Sequence, residues 1–98
     1  MSLPLDFHPA VRGEIDAAHD WYEQRRAGLG RDYLDEVERV LAAITANPDR
    51  YGFADADIHE GPLRRFPYAI YYRVLPDRIR VLAVYHTARG LSRWQSRV

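Results

Sequence analysis

Cysteine is absent from this 98-residue chain, and so is lysine. Without cysteine there is no disulfide framework, no thiolate metal site and no thiol nucleophile, a composition that suits a reducing compartment. Without lysine there is no Schiff-base former, amine base or ammonium clamp for phosphate, and all 14 basic residues are arginine. Serine occurs only at positions 2, 92 and 96, none in a strand-turn-helix setting, which argues against a Ser-His-Asp hydrolase. The histidines at 8, 19, 59 and 86 are not spaced to bring metal ligands together on one helix or strand, so no metal or other cofactor is expected. Gly28-x-Gly30 lacks the third glycine of a dinucleotide fingerprint and follows a helical pattern, not a strand. Long hydrophobic runs are missing too. Nothing approaches the roughly 18 apolar residues of a membrane span, and the first residues lack the basic and apolar regions of a secretory signal. The expectation is a cytoplasmic protein that does not engage membranes.

What is present suffices for one core. With 47% hydrophobic and 12% aromatic residues, disorder is not the default, and residues 1–98 are expected to form one domain. The formal net charge is zero, but the charge is divided. Residues 1–57 hold 6 Arg against 12 Asp and Glu, a balance of −6, whereas residues 58–98 hold 8 Arg against 2 acids, a balance of +6. Such asymmetry suggests an anionic partner for the basic part.

Leu3 to Phe7 reads as a short edge strand, since Pro4 disfavours a central one. From Pro9 the period becomes helical, with Val11, Ile15, Ala18 and Tyr22 on one face. Ala27-Gly28-Leu29-Gly30 breaks that helix. A second is predicted from about Arg31 to Ala46, with Tyr33, Val37, Leu41 and Ile44 inward, stopped by Asn47-Pro48. The short link predicts an antiparallel helix hairpin. Asp49 to Asp57 reads as an irregular connection, and the chain becomes extended again near Ile58 to Leu63. Two strong strands follow, Tyr68 to Val74 and Ile79 to His86, joined by a turn at Pro76-Asp77. In the second, Ile79, Val81, Ala83 and Tyr85 are expected on one side and Arg80, Leu82, Val84 and His86 on the other; apolar residues on both sides predict an interior strand. The fold class is therefore α+β: an N-terminal antiparallel helix hairpin packed on one face of a small, mainly antiparallel sheet, with the other face partly open.

The chemistry has to be sought among Arg, His and Tyr. Arg64, Arg65, Arg73, Arg80 and Arg89, with Tyr71, Tyr85 and His86, are placed by the pattern to line the open face and rim of the sheet. Guanidinium groups fork onto phosphates and stack on bases, and tyrosine rings add stacking surface, a combination suited to RNA or to an acidic protein segment. Exposed strands also carry arginine simply to protect edges. His86 ends an apolar strand and is either a proton-transfer group or a hydrogen-bonded structural residue. Trp94 and Tyr68 read as core or anchoring aromatics. Arg64, Arg65, His86 and Arg89 are the candidate catalytic residues.

The helix pair, Asn47-Pro48, the run Leu63-Arg64-Arg65-Phe66-Pro67-Tyr68-Ala69-Ile70-Tyr71-Tyr72-Arg73-Val74, then Ile79 to Val84, His86-Thr87-Ala88-Arg89 and Trp94, resemble the RelE/ParE family of bacterial toxins from type II toxin–antitoxin systems. The likeness includes Trp21-Tyr22 and Gly28-Leu29-Gly30. It implies a helix hairpin on a small antiparallel sheet, a role in plasmid stabilization or growth inhibition, and a cognate antitoxin that wraps the toxin and assembles with it into an oligomer. RelE-like members cleave mRNA on the ribosome with basic residues on the concave sheet face, without a metal; ParE-like members inhibit DNA gyrase. RelE-like nucleases typically carry Arg directly after the first Tyr of the strand matching Tyr68 to Tyr72, where this chain has Ala69. They often use lysines on the preceding strand, where this chain has His59 and Glu60. A histidine near the end of the last strand takes part in cleavage in some relatives, which keeps His86 as a candidate. The departures lean away from a RelE-type nuclease and bring the chain closer to the ParE side, where the resemblance implies a toxin that binds DNA gyrase; a ribosome-dependent endoribonuclease or a non-toxic binding module are the alternatives.

Overall fold

The computed structural model describes residues 2–89 and Arg97. The elements follow in the order β1 (Leu5–Phe7), α1 (Ala10–Arg25), α2 (Leu29–Ala46), β2 (Phe53–Asp55), β3 (Ile58–Pro62), β4 (Tyr68–Val74) and β5 (Ile79–His86), then a short 3-10 turn, Thr87–Arg89. The strands form one five-stranded sheet in the order β1-β5-β4-β3-β2. All neighbours are antiparallel except β1, which runs parallel to β5 at the edge. β5 is interior, as its two-sided apolar pattern requires.

α1 starts where His8 can serve it. The His8 ring accepts the Ala10 amide at 3.1 Å and its carbonyl accepts the Val11 amide at 3.0 Å, occupying donors that a helix start leaves unpaired. Gly28, with φ of +89°, takes the left-handed conformation that turns the chain between the helices. The Glu23 carboxylate on α1 then accepts the amides of Gly28 and Gly30 at 3.1 and 3.0 Å. That cap lets α2 begin at Leu29, two residues before the hydrophobic period alone indicates.

The core lies between the hairpin and one sheet face. Val11, Ala18 and Tyr22 of α1 meet Tyr33, Val37, Val40 and Ile44 of α2 over Ile70, Tyr72, Ile79, Val81 and Val84. The Tyr72 hydroxyl donates to the Pro48 carbonyl at 2.8 Å, so the residue that ends α2 is tied to the middle of the sheet.

Three sequence expectations change. The stretch read as irregular contains β2, a three-residue edge strand whose Phe53 lies over the buried His59 ring at 4.2 Å. The simple alternation of β5 is broken by a bulge: Tyr71 pairs with Ala83 and Tyr72 with Val81, leaving Leu82 as an extra residue. Past the bulge the faces exchange, so Val84 joins Ile79 and Val81 on the helix side, while Leu82 and Ala83 join the opposite cluster. That opposite face is also less open than expected, because Ile58, Tyr71 and Leu82 pack across the small Ala69 and Ala83, all of them buried.

Tyr33 is fully buried among the rings of Tyr22, Phe66 and Tyr68. Its hydroxyl has no hydrogen-bond partner among the described residues, and burial pushes its pKa upward. Tyr33→Phe keeps the ring and removes a desolvated polar group, so urea unfolding is expected to show a gain of about 1 kcal/mol. A comparable loss would reveal a partner for the hydroxyl.

Candidate functional site

β3 ends, β4 begins and β5 ends at the same edge of the molecule. Backbone bonds draw the connecting loop tight there: the Leu63 amide donates to the Tyr68 carbonyl at 2.9 Å, Tyr68 to Phe66 at 2.8 Å and Thr87 to Pro67 at 2.9 Å. Leu63 and Phe66 point into the core, 7% and 6% exposed, which leaves Arg64 and Arg65 between them on the surface. Arg65 has φ of +70°, a strained left-handed conformation for a residue with a Cβ.

Both arginines of this loop are met by acids of α2. The Arg64 amide donates to Glu36 at 2.6 Å, and Glu36 is also bound by Arg39 at 2.9 and 3.0 Å. The Arg65 guanidinium stands 3.5 Å from Asp32 and 5.4 Å from the centre of the Phe66 ring. His86 pairs with Tyr68 across the strands, edge-on to its ring at 5.3 Å. Its Nδ1 accepts the Ala88 amide at 3.1 Å, so the neutral ring carries its proton on Nε2. Arg89 follows in the 3-10 turn at the same end; its side chain, with Arg93 and Trp94, lies outside the described residues.

Of the five arginines expected on one surface, Arg73 and Arg80 stand elsewhere. They are cross-strand neighbours at the far end of the β4–β5 hairpin, and each faces an acid from the first part of the chain: Arg73 meets Asp57 at 2.9 Å and Arg80 meets Asp6 at 2.7 Å. Tyr71 and Tyr85 belong to the face opposite the helices, where burial first, then Glu60, pushes the Tyr71 hydroxyl up to about 12.

A groove of about 840 Å³ adjoins the loop end of the sheet, between α1 and the outer side of β5. One wall is a row of small residues, Ala10, Gly13 and Ala17, leading to Trp21; the other includes Tyr68, Val84 and His86. Trp21 is half exposed, with the Arg25 guanidinium 4.2 Å above its ring. Sequence reasoning did not select this groove as a site. The available signal was a row of small residues ending in tryptophan at steps of three and four, beside the buried stripe.

A helix hairpin laid on one face of this sheet is a fold seen in a solved toxin–antitoxin system. The chain superposes on a chain of the chromosomal ParDE TA system from P. aeruginosa with a TM-score of 0.71 at 14% identity, covering 87% of this chain and 96% of that one. Residues 5–91 match the family model of the ParE toxin of the type II toxin–antitoxin system parDE, and the chain belongs to that family. No curated protein matches it.

Glu36 links the candidate loop to α2, and pH should expose the link. Its carboxyl is held below the ordinary 4.5, chiefly by Arg39; burial opposes the shift and the Arg64 amide adds to it. The ionised carboxylate therefore contributes fully above that ordinary value, and its contribution is lost as pH falls through the lower folded value. Glu36→Gln is expected to lower the urea midpoint near neutrality and to speed amide exchange in residues 63–67. The gap between wild type and variant should close in acid. A gap constant from neutral pH down to about pH 3 would contradict this role.

Proposed function

We propose that this toxin acts in the cytoplasm by binding DNA gyrase and is held inactive by a cognate antitoxin that occupies the α1 groove. Family membership supports the first element, and the superposed chain comes from a ParDE toxin–antitoxin system, which supports a paired antitoxin. The observation that carries the reading is the groove itself: a half-exposed tryptophan at the end of a small-residue row, beside His86 and Tyr68. Tryptophan in such a setting is a favoured anchor for a protein partner.

Ala69 favours gyrase over RNA cleavage. It is fully buried in the cluster with Tyr71 and Leu82, so the position where RelE-like nucleases carry arginine displays no guanidinium. Arg65 is paired with Asp32 and stacked near Phe66, a posture suited to shaping a surface. Arg64, Arg65, His86 and Arg89 are proposed as contacts with the macromolecular target at the sheet end. In the nuclease alternative, His86 would move protons while the arginines stabilise phosphate charge.

Expression of the chain without its antitoxin is expected to arrest growth and to inhibit gyrase-dependent supercoiling in purified assays, with no ribosome-dependent mRNA cuts. Cuts that disappear in His86→Ala and Arg65→Ala would replace this reading with the nuclease one, and harmless expression would favour a non-toxic binding module. Trp21→Ala is expected to weaken binding of the antitoxin encoded beside the gene by roughly 30-fold or more. Unchanged affinity would place the antitoxin elsewhere.

A further inference from the structure

The charges along the groove are unequally placed. Glu14 is the one carboxylate among the described lining residues, and it is already committed: Oε1 accepts the Val84 amide at 3.1 Å, and Oε2 stands 2.7 Å from the Arg97 guanidinium. A cation brought by a partner would find no free acid there. The opposite holds at the Trp21 end. One helical turn beyond Trp21, on the same side of α1, Arg25 places its guanidinium 4.2 Å from the centre of the indole. Arg25 is exposed and forms no ion pair among the described residues.

The acids of this end of the hairpin are taken by other groups. The Glu23 carboxylate holds the amides of Gly28 and Gly30, and Asp32 is shared between Arg26 at 3.9 Å and Arg65 at 3.5 Å. Arg25, Arg26 and Arg65 thus outnumber Glu23 and Asp32 here. Stacking on Trp21 does not satisfy Arg25, because the ring attracts the charge without occupying the N–H donors of the guanidinium plane. What the stack does is restrain the side chain, so less rotamer freedom is lost when a partner binds those donors.

We propose that Trp21 and Arg25 form a composite subsite at the end of the groove for an apolar side chain and an adjacent carboxylate of the antitoxin segment, the first seated against the indole and the second on the Arg25 guanidinium. The inference rests on the reading of this groove as the antitoxin's place. Charge complementarity identifies the occupant: the acid of the groove is taken, and the cation at its end is not. A carboxylate is preferred to a neutral amide because it accepts two donors of the planar fork at once. The apolar neighbour matters as well. By covering Trp21 it removes water from beside the ion pair, which strengthens the attraction.

The test begins with small probes on the chain alone. 3-Phenylpropionate couples an apolar ring to a carboxylate, and 3-phenylpropionamide is its neutral counterpart. The acid is expected to shift the Trp21 indole N–H resonance saturably at millimolar concentration, the signal being assigned through Trp21→Phe, and to bind roughly fivefold or more tightly than the amide. Arg25→Gln should erase that preference. If Arg25→Gln displaces the indole, Arg25→Lys takes its place and should show a reduced preference, because it keeps the charge without the fork. No saturable shift from the acid, equal binding of the two probes, or a preference undiminished in both variants would overturn the subsite. In the second arm the antitoxin encoded beside the gene should bind Arg25→Gln roughly tenfold more weakly than wild type, and Arg25→Glu more weakly still. Replacing one acidic residue of the antitoxin by arginine should restore binding to Arg25→Glu. Unchanged affinity in Arg25→Gln, where Trp21→Ala does weaken binding, would overturn the carboxylate contact. Unchanged affinity in both would instead remove the reading of the groove, and the phenylpropionate result would still decide the subsite.

Discussion

Neither helix of this chain can hide its apolar stripe from water alone. α1 offers Val11, Ala18 and Tyr22, α2 offers Tyr33, Val37, Val40 and Ile44, and both stripes close only against the sheet face bearing Ile70, Tyr72, Ile79, Val81 and Val84. Burial of that shared surface is non-directional and supplies the driving force. The directional bonds then set the arrangement. Glu23 fixes the turn between the helices, Tyr72 ties the end of α2 to the sheet, and Glu14 joins α1 to the edge of β5.

The candidate surface is a by-product of the same packing. Leu63 and Phe66 must enter the core, so the residues between them cannot. Arg64 and Arg65 are displayed because their neighbours are buried; Glu36 of α2 then holds the Arg64 amide, and Asp32 draws the Arg65 guanidinium toward the helix side. The groove has a similar origin. Small residues at 10, 13 and 17 leave space beside β5 where larger ones would have closed it. A tyrosine cluster beneath holds the walls apart: Tyr22 and Tyr68 lie 6.1 Å from centre to centre and both contact Tyr33.

Much of this was legible from period and punctuation. The helix faces, the interior position of β5, the edge strand before α1 and the stop at Asn47-Pro48 follow from residue spacing, and the structure reproduces them. The misses share a cause: each depends on contacts between residues far apart in sequence. The bulge at Leu82 depends on how β4 and β5 register, and no local propensity announces it. β2 is too short to carry a period and exists because β3 lies beside it. The early start of α2 depends on a carboxylate supplied by α1. The candidate residues at 64, 65, 86 and 89 were read from composition, and the fold does bring their backbones to one end; Arg73 and Arg80, chosen on the same grounds, fall at the other.

Charge shows most clearly how sequence and structure must be combined. The division between an acidic first part and a basic second part pointed to an anionic partner. In the folded chain a large share of that partner is the first part itself: Arg65 meets Asp32, Arg73 meets Asp57, Arg78 and Arg80 meet Asp6, and Arg97 meets Glu14. Paired in this way, the arginines create little long-range field, whereas steering toward a polyanion needs clustered charge of one sign. With most of the described arginines of the second part matched in this way, beside an apolar groove, the surface is better equipped for short-range recognition of another protein. That physical preference supports a protein target for this toxin, and it is independent of the missing arginine at Ala69.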